Sequence, residues 1–227
     1  MKNLKYILSE GILGDIEDRI NTNDAEAIIR YEVLKFLESN YINHRKAMFR
    51  ISDKPNKDGM FEVSINGSVT AKGKLQSITN GKFVFKEVKG WFDVTLCHDL
   101  ISLEGCPKYV GDNFKCTCCE NLKSLEGCPE HVGSFKMGLC DKIETLKYAP
   151  KTVDHDFLCY KCKSLKSLKG CTNFIPGRFD CSRCESLHSI EYCPEYVGEN
   201  FECYSCGTKF YKSDIEKYCK VIGSIKY

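Results

Sequence analysis

No stretch of this chain approaches the roughly 20 apolar residues that a membrane-spanning helix needs. Near its start the apolar trio Tyr6–Ile7–Leu8 is broken by Ser9 and Glu10, too short a run for the heart of a secretory signal. A dominant charge is also missing. The 33 Lys and Arg residues stand against 31 Asp and Glu, a formal net charge of +2. That balance supplies no whole-protein field to draw in nucleic acid or an anionic membrane. Neither a G-x-x-x-x-G-K-[ST] phosphate loop, nor H-E-x-x-H, nor a G-x-S-x-G nucleophile elbow occurs. These absences favour a cytoplasmic protein without a cofactor, a nucleic-acid partner or a membrane partner. With 42% hydrophobic residues against 28% charged, the 227-residue chain has enough apolar material for one domain or one repeat array with caps.

What the chain has in excess is cysteine, 16 residues in all. Their positions follow a repeat. Aligned on Phe92, Phe114, Phe135, Phe157, Phe179 and Phe201, the spacings are 22, 21, 22, 22 and 22. Two residues after each Phe stand Val94, Cys116, Met137, Cys159, Cys181 and Cys203. Five residues after each stands a cysteine without exception: Cys97, Cys119, Cys140, Cys162, Cys184 and Cys206. Two aliphatic columns follow, one through Leu100, Leu122, Ile143, Leu165 and Leu187, the other through Leu103, Leu125, Leu146, Leu168 and Ile190. Then come a small column (Cys106, Cys128, Ala149, Cys171, Cys193) and a closing one (Val110, Val132, Val153, Ile175, Val197).

Alternation of Phe and the residue two places on with polar neighbours is the period of a half-buried strand. One such strand cannot bury its apolar face alone, so units must stack and share a core. Six strands at ~4.8 Å predict a parallel sheet about 25 Å long. Gly105, Gly127 and Gly170 suit tight turns on a return path that is too short and too Pro-punctuated for full helices.

Written as V-x-x-F-x-C-x-x-C-x-x-L-x-x-L-x-G-C-P, the unit resembles the leucine-rich-repeat signature, with Phe and Cys in its central apolar places. It is similar to the short bacterial type of repeat, and looks particularly like the Cys-rich repeat proteins of gut bacteriophages and their hosts. The resemblance runs from Phe92 to Phe210, with a degenerate unit from about Gly67 to Trp91. It implies a β-rich repeat solenoid, a right-handed superhelix with a parallel concave sheet. Two residues rather than one separate the Cys column from the next Leu, so a looser turn is expected there.

A stack needs caps. Residues 1–66 are expected to form a small α+β N-terminal cap, the solenoid to occupy 67–210, and a helix-strand cap 211–227. In the first, Asn23–Asp24 precede a helical pattern over Ala25–Asn40 carried by Ile28, Ile29, Phe36 and Leu37. Two strands, 47–52 and 60–66, flank a turn at Lys54–Gly59. In the last, Ser213 and Glu216 have capping-box spacing for a short helix to about Lys220, followed by a final strand Val221–Tyr227.

Four C-x-x-C pairs (Cys116–Cys119, Cys159–Cys162, Cys181–Cys184, Cys203–Cys206) have zinc-ligand spacing. The first column of these pairs, however, also accepts Val94 and Met137, and the small column accepts Ala149, residues that cannot ligate zinc. The columns therefore select for modest apolar volume, the ordinary role of a buried thiol. Only Cys118 and Cys219 fall outside them. A thiol is also a weak donor, able to serve the strand-to-turn bend where the leucine-rich repeat carries Asn. The five histidines (His44, His98, His131, His155, His188) fall at unrelated repeat positions, so no cysteine–histidine dyad is marked out.

The residues after each Phe (Asp93, Lys115, Lys136, Leu158, Asp180, Glu202) should face outward, and their mixed signs offer no track for a phosphate backbone. Together with the positions three and four after Phe they place Lys136, Leu139, Leu158, Tyr160, Lys161, Arg183 and Tyr204 in one cluster on the concave face. Exposed Tyr, Leu and Arg are the composition of an interface centre. The expected function is a non-enzymatic module binding a protein partner through that face, phage- or mobile-element-encoded. The alternatives are a structural component of a phage particle or other assembly, with viral particle subunits as partners, and a zinc-binding protein.

Overall fold

The computed structural model describes residues 25–43, 48–71 and 73–227. Asn23–Asp24, the apolar trio at 6–8 and His44 lie outside these residues. Helix α1 (Ala25–Asn40) forms where the helical pattern falls, with Val33 and Leu37 buried in the common core and Phe36 packed against it. Strand β1 (Tyr41–Asn43) follows at once, and β2 (Met48–Ile51) pairs antiparallel with β3 (Phe61–Asn66) around a turn closed by Asn56. Beyond β3 every pairing but one is parallel; β1 runs antiparallel to β4 (Val69–Ala71).

The solenoid has about eight coils. Its early coils carry β5 (Phe83–Val88) with β6 (Phe92–Asp93), then the long strands β7 (Tyr109–Lys115) and β8 (His131–Gly138). Later coils split the strand in two: β9 (Thr152–Val153) and β10 (Phe157–Tyr160), β11 (Phe174–Ile175) and β12 (Phe179–Asp180), β13 (Tyr196–Val197) and β14 (Phe201–Glu202). The Phe-bearing strands, with β4 at one end and β16 (Ile225–Lys226) at the other, form a principal sheet in the order β4-β6-β7-β8-β10-β12-β14-β16, in the register Phe92↔Phe114↔Phe135↔Phe157↔Phe179↔Phe201. The six rings are fully buried and stack along the axis at 4.8–6.1 Å between centroids. One core cluster runs from Val33 to Cys219.

Each coil is closed by tight turns. Leu100, Leu122, Ile143, Leu165 and Leu187 donate their N–H to the cysteine carbonyl three residues back, at 2.9–3.2 Å. The second turn repeats the pattern, from Cys106 to Leu103 and from Cys128 to Leu125. Gly127 shows why glycine sits in it: its φ is +87°, and a Cβ would lie 2.5 Å from the Leu103 carbonyl oxygen of the previous coil. The looser turn expected after the Cys column is not seen. The two intervening residues complete a four-residue hydrogen-bonded turn.

Three features differ from the sequence reading. The parallel stack begins at β3, where Phe61 is in register with Phe83, ahead of residue 67. The closing Val column builds β-structure of its own, in part a separate sheet β11-β13-β15; two-residue strands give too short a pattern to announce it. At the C-terminus helix α2 (Lys212–Ile215) is shorter than expected. It is capped two residues earlier, by the Asp214 carboxylate accepting the Tyr211 N–H at 3.1 Å. The single final strand is instead two, β15 (Lys220–Val221) on β13 and β16 (Ile225–Lys226) on β14, because Ile222–Ser224 turn the chain as the other coils do. The expected cap is one more coil. No described helix is long and apolar enough to cross a membrane.

Candidate interaction face

The four residues from the second to the fifth after each Phe turn the chain off the principal sheet. The fourth after Phe is held in the left-handed region in all six repeats: Leu96 (φ +63°), Cys118 (+57°), Leu139 (+55°), Lys161 (+56°), Arg183 (+58°) and Ser205 (+54°). None is glycine, although a Cβ in this region costs about 1–2 kcal/mol per residue. A backbone ladder imposes the conformation. Each of these N–H groups from Leu96 to Arg183 donates to the preceding residue's counterpart in the next coil: Leu96 to Thr117, Cys118 to Gly138, Leu139 to Tyr160, Lys161 to Ser182, Arg183 to Tyr204, at 2.8–3.3 Å. With the backbone so fixed, the side chains point off the corner. Leu96 is 52% exposed, Leu139 38%, and Arg183 and Ser205 are exposed.

Beneath the corner runs a ladder of thiols. Cys119, Cys140, Cys184 and Cys206 each donate to the backbone carbonyl two residues after the Phe of the previous coil, at 3.2, 2.9, 3.2 and 3.3 Å. This is the bend-satisfying role read from the sequence, and it favours Cys in a column that never varies, while the other two cysteine columns accept Val, Met or Ala. Burial pushes Cys97 up to about 11 and Cys184 and Cys203 to about 12, whereas hydrogen bonding from Cys116 and Cys181 holds Cys140 and Cys206 below the ordinary thiol range. All sixteen cysteines are free thiols. Among the described residues no group of three or more His, Cys, Asp or Glu side chains is placed to hold a metal ion. Protein purified without chelator is expected to carry no stoichiometric zinc by elemental analysis, and all thiols should titrate as free on denaturation. One tightly held zinc per chain would contradict the packing role of the C-x-x-C pairs.

The predicted cluster divides. Leu139, Arg183 and Tyr204 do gather at the corner, the Arg183 guanidinium lying 5.7 Å from the Tyr204 ring centre. Lys161 stands in the same column, half-buried. Lys136 lies half-buried on the open sheet face. Tyr160 lies flat across Gly138 of the previous coil, where a Cβ would come within 2.9 Å of its ring. It covers its neighbour strand and is only partly open to a partner. Leu158 is corrected outright: it is 6% exposed, flanked in register by Lys136 and Asp180.

The outward column is covered from Leu158 onward. Asp180 and Glu202 are buried; Asp180 accepts both the Ser182 N–H (2.9 Å) and hydroxyl (2.6 Å). Glu202 pairs with Lys226 at 2.9 Å and Arg178 at 3.6 Å. Long neighbouring side chains fold over the sheet because strands only ~4.8 Å apart bring them into reach.

On the opposite side, Lys166 pairs with Glu144 at 3.0 Å and Lys163 lies 3.9 Å from Asp141. The histidines make local contacts: His98 with Glu120, His188 with Thr208, and His131 with Thr152 and Asp154. What the sequence reading passed over is a set of exposed aromatics away from the Phe column and its corner, Tyr109, Tyr148, Phe174 and Tyr192. Tyr148 (φ +70°) and Tyr192 (+67°) stand in the column of Gly105, Gly127 and Gly170, a substitution visible in the aligned repeats. No family model, curated protein or solved structure matches this chain.

Proposed function

We propose that this protein is a non-enzymatic repeat module, leucine-rich-repeat-like in its unit, that binds another protein along the corner of its principal sheet. The observation that carries the reading is the six-coil row of non-glycine residues at positive φ. Glycine would serve such a corner at no steric cost, and three of five residues in the other positive-φ column are glycine. Side chains retained against that strain, and left exposed, are held for contact. Leu139, Arg183 and Tyr204 form the centre of the surface, with Leu96 and Lys161 along the same row. Sixteen unpaired thiols are the state of a reducing compartment and support a cytoplasmic site of action.

The test is differential capture from the native host. Arg183→Glu combined with Tyr204→Ala should cost ~2 kcal/mol or more, about a 30-fold loss of affinity for the captured partner. Melting temperature should hardly move, since both side chains lie outside the core. The matched pair Lys123→Glu with Lys166→Glu, on the opposite side, should leave capture intact. Loss with the second pair and not the first would place the binding surface on the other face.

A further inference from the structure

Three lysines on the side away from the corner, Lys123, Lys142 and Lys147, line one groove of about 580 Å³. No ion pair among the described residues includes any of them. Two are held in place by uncharged groups. Asn121 donates its amide to the His98 carbonyl at 2.9 Å, and its side-chain oxygen accepts from Lys142 Nζ at 2.5 Å. Lys147 Nζ lies 4.7 Å from the centre of the Tyr148 ring, although Glu126 stands in the same column one coil back. The two acids of the groove wall are engaged by lysines of the next coil, Glu144 by Lys166 at 3.0 Å and Asp141 by Lys163 at 3.9 Å. The three groove cations are thus positioned without being neutralised, and remain available to an anion from outside.

Hydroxyls and a ring complete the lining. Ser124 and Thr145 share a column, and each hydroxyl oxygen accepts the backbone N–H two residues on, from Glu126 at 3.0 Å and from Lys147 at 3.4 Å. Neither hydroxyl donates to another described residue, so both hydrogens are available to an oxyanion. Tyr148 stands where Gly105, Gly127 and Gly170 stand in other coils, 47% exposed and at φ +70°. A side chain kept there against that strain, on the wall of a groove with three free cations, offers a ring face to the body of a ligand. The volume falls within the roughly 300–1,000 Å³ of small-molecule sites.

We infer that this groove binds a phosphate monoester carried on a small organic body, its donors supplied by Lys123, Lys142, Lys147 and the Ser124 and Thr145 hydroxyls, with Tyr148 against the body. A monoester brings close to two negative charges at neutral pH and three strong acceptor oxygens, enough to engage several ammonium groups at once. Lysines bind it as point charges, without the planar fork that would single out a carboxylate. A free sugar phosphate and a phosphorylated side chain present this same chemistry.

The experiment needs no host partner and is independent of the corner surface. Glucose-6-phosphate and N-acetyl-phosphotyrosinamide are titrated into the full chain and followed by NMR, beside inorganic phosphate and unphosphorylated N-acetyl-tyrosinamide. Saturable shifts centred on the six groove residues are expected, and the tighter monoester identifies the source as a free metabolite or a modified polypeptide. Inorganic phosphate, lacking a body for Tyr148, should bind about 5-fold more weakly, and the unphosphorylated amide should give no saturable shifts. Lys123→Gln with Lys147→Gln should weaken the monoester about 10-fold or more. Lys212→Gln with Lys217→Gln, remote lysines already paired with Glu216 and Asp214, should change nothing. Tyr148→Gly, which restores the residue of the neighbouring coils, should stay folded and bring the monoester down to the level of inorganic phosphate. The inference is overturned by an absence of saturable shifts with both monoesters, or by shifts scattered over lysines elsewhere. Undiminished binding to the folded lysine variant, equal binding of the unphosphorylated amide, or a monoester advantage that survives Tyr148→Gly would overturn it as well.

Discussion

Raising the pH from 8 towards 11 is expected to unfold this protein, and to do so steeply. Cys106, Cys128 and Cys159 are buried, and desolvation, reinforced at Cys128 and Cys159 by nearby thiols, pushes their ionisation well up. In the unfolded chain a thiol ionises near 8.5. The folded state thus holds protons that the unfolded state has released, so stability is fully present below about pH 8 and falls as pH rises towards the folded-state values. Each enclosed thiol removes up to ~1.4 kcal/mol per pH unit in that window, and three remove about 4. Against a total stability of ~5–15 kcal/mol this is decisive. Denaturant melts at a series of pH values measure the slope. Cys106→Ala, a replacement the column already tolerates at Ala149, should reduce it by up to ~1.4 kcal/mol per unit. A flat profile to pH 11 would mean the thiols reach water.

Truncation of the central core has an effect of similar size. Phe135 lies in the middle of the ring stack, with Phe114 at 6.1 Å and Phe157 at 4.8 Å. Phe135→Ala should cost ~3–5 kcal/mol, and Leu125→Ala or Leu168→Ala ~2–5. Coils couple mainly to their neighbours, so Ile190→Ala, near the end of the stack, should cost less than the central changes. Equal and negligible losses at all four sites would contradict one continuous core.

The stack itself was legible because its determinants recur at a fixed interval. Phe, the invariant Cys and two aliphatic columns each occupy one buried line, and departures in the column beside them, Val94 and Met137, are outweighed by the four cysteines at its other positions. Non-recurrent features were not legible in that way. The burial of Leu158 follows from which long side chains happen to flank it, and the flat packing of Tyr160 depends on Gly138 lying one coil back. Neither contact is encoded in a column. The Val column closes the repeat without announcing strands of its own, because a two-residue strand leaves no alternation to detect. The corner is the instructive case: Leu139, Arg183 and their equivalents stand out in the repeat as exposed positions, yet their positive φ is invisible in residues that are not glycine.

That corner strain permits a direct test of function against fold. Leu139→Gly with Arg183→Gly removes two Cβ atoms from the left-handed region, worth about 1–2 kcal/mol each, against the added flexibility of two glycines at about 0.5–1 each in the unfolded chain. If the row exists to meet a partner, the double variant should melt at or slightly above the temperature of the parent and lose capture of the host protein at least tenfold. A variant that melts lower while still capturing the partner at full strength would show that the corner side chains serve the fold, and would contradict the account.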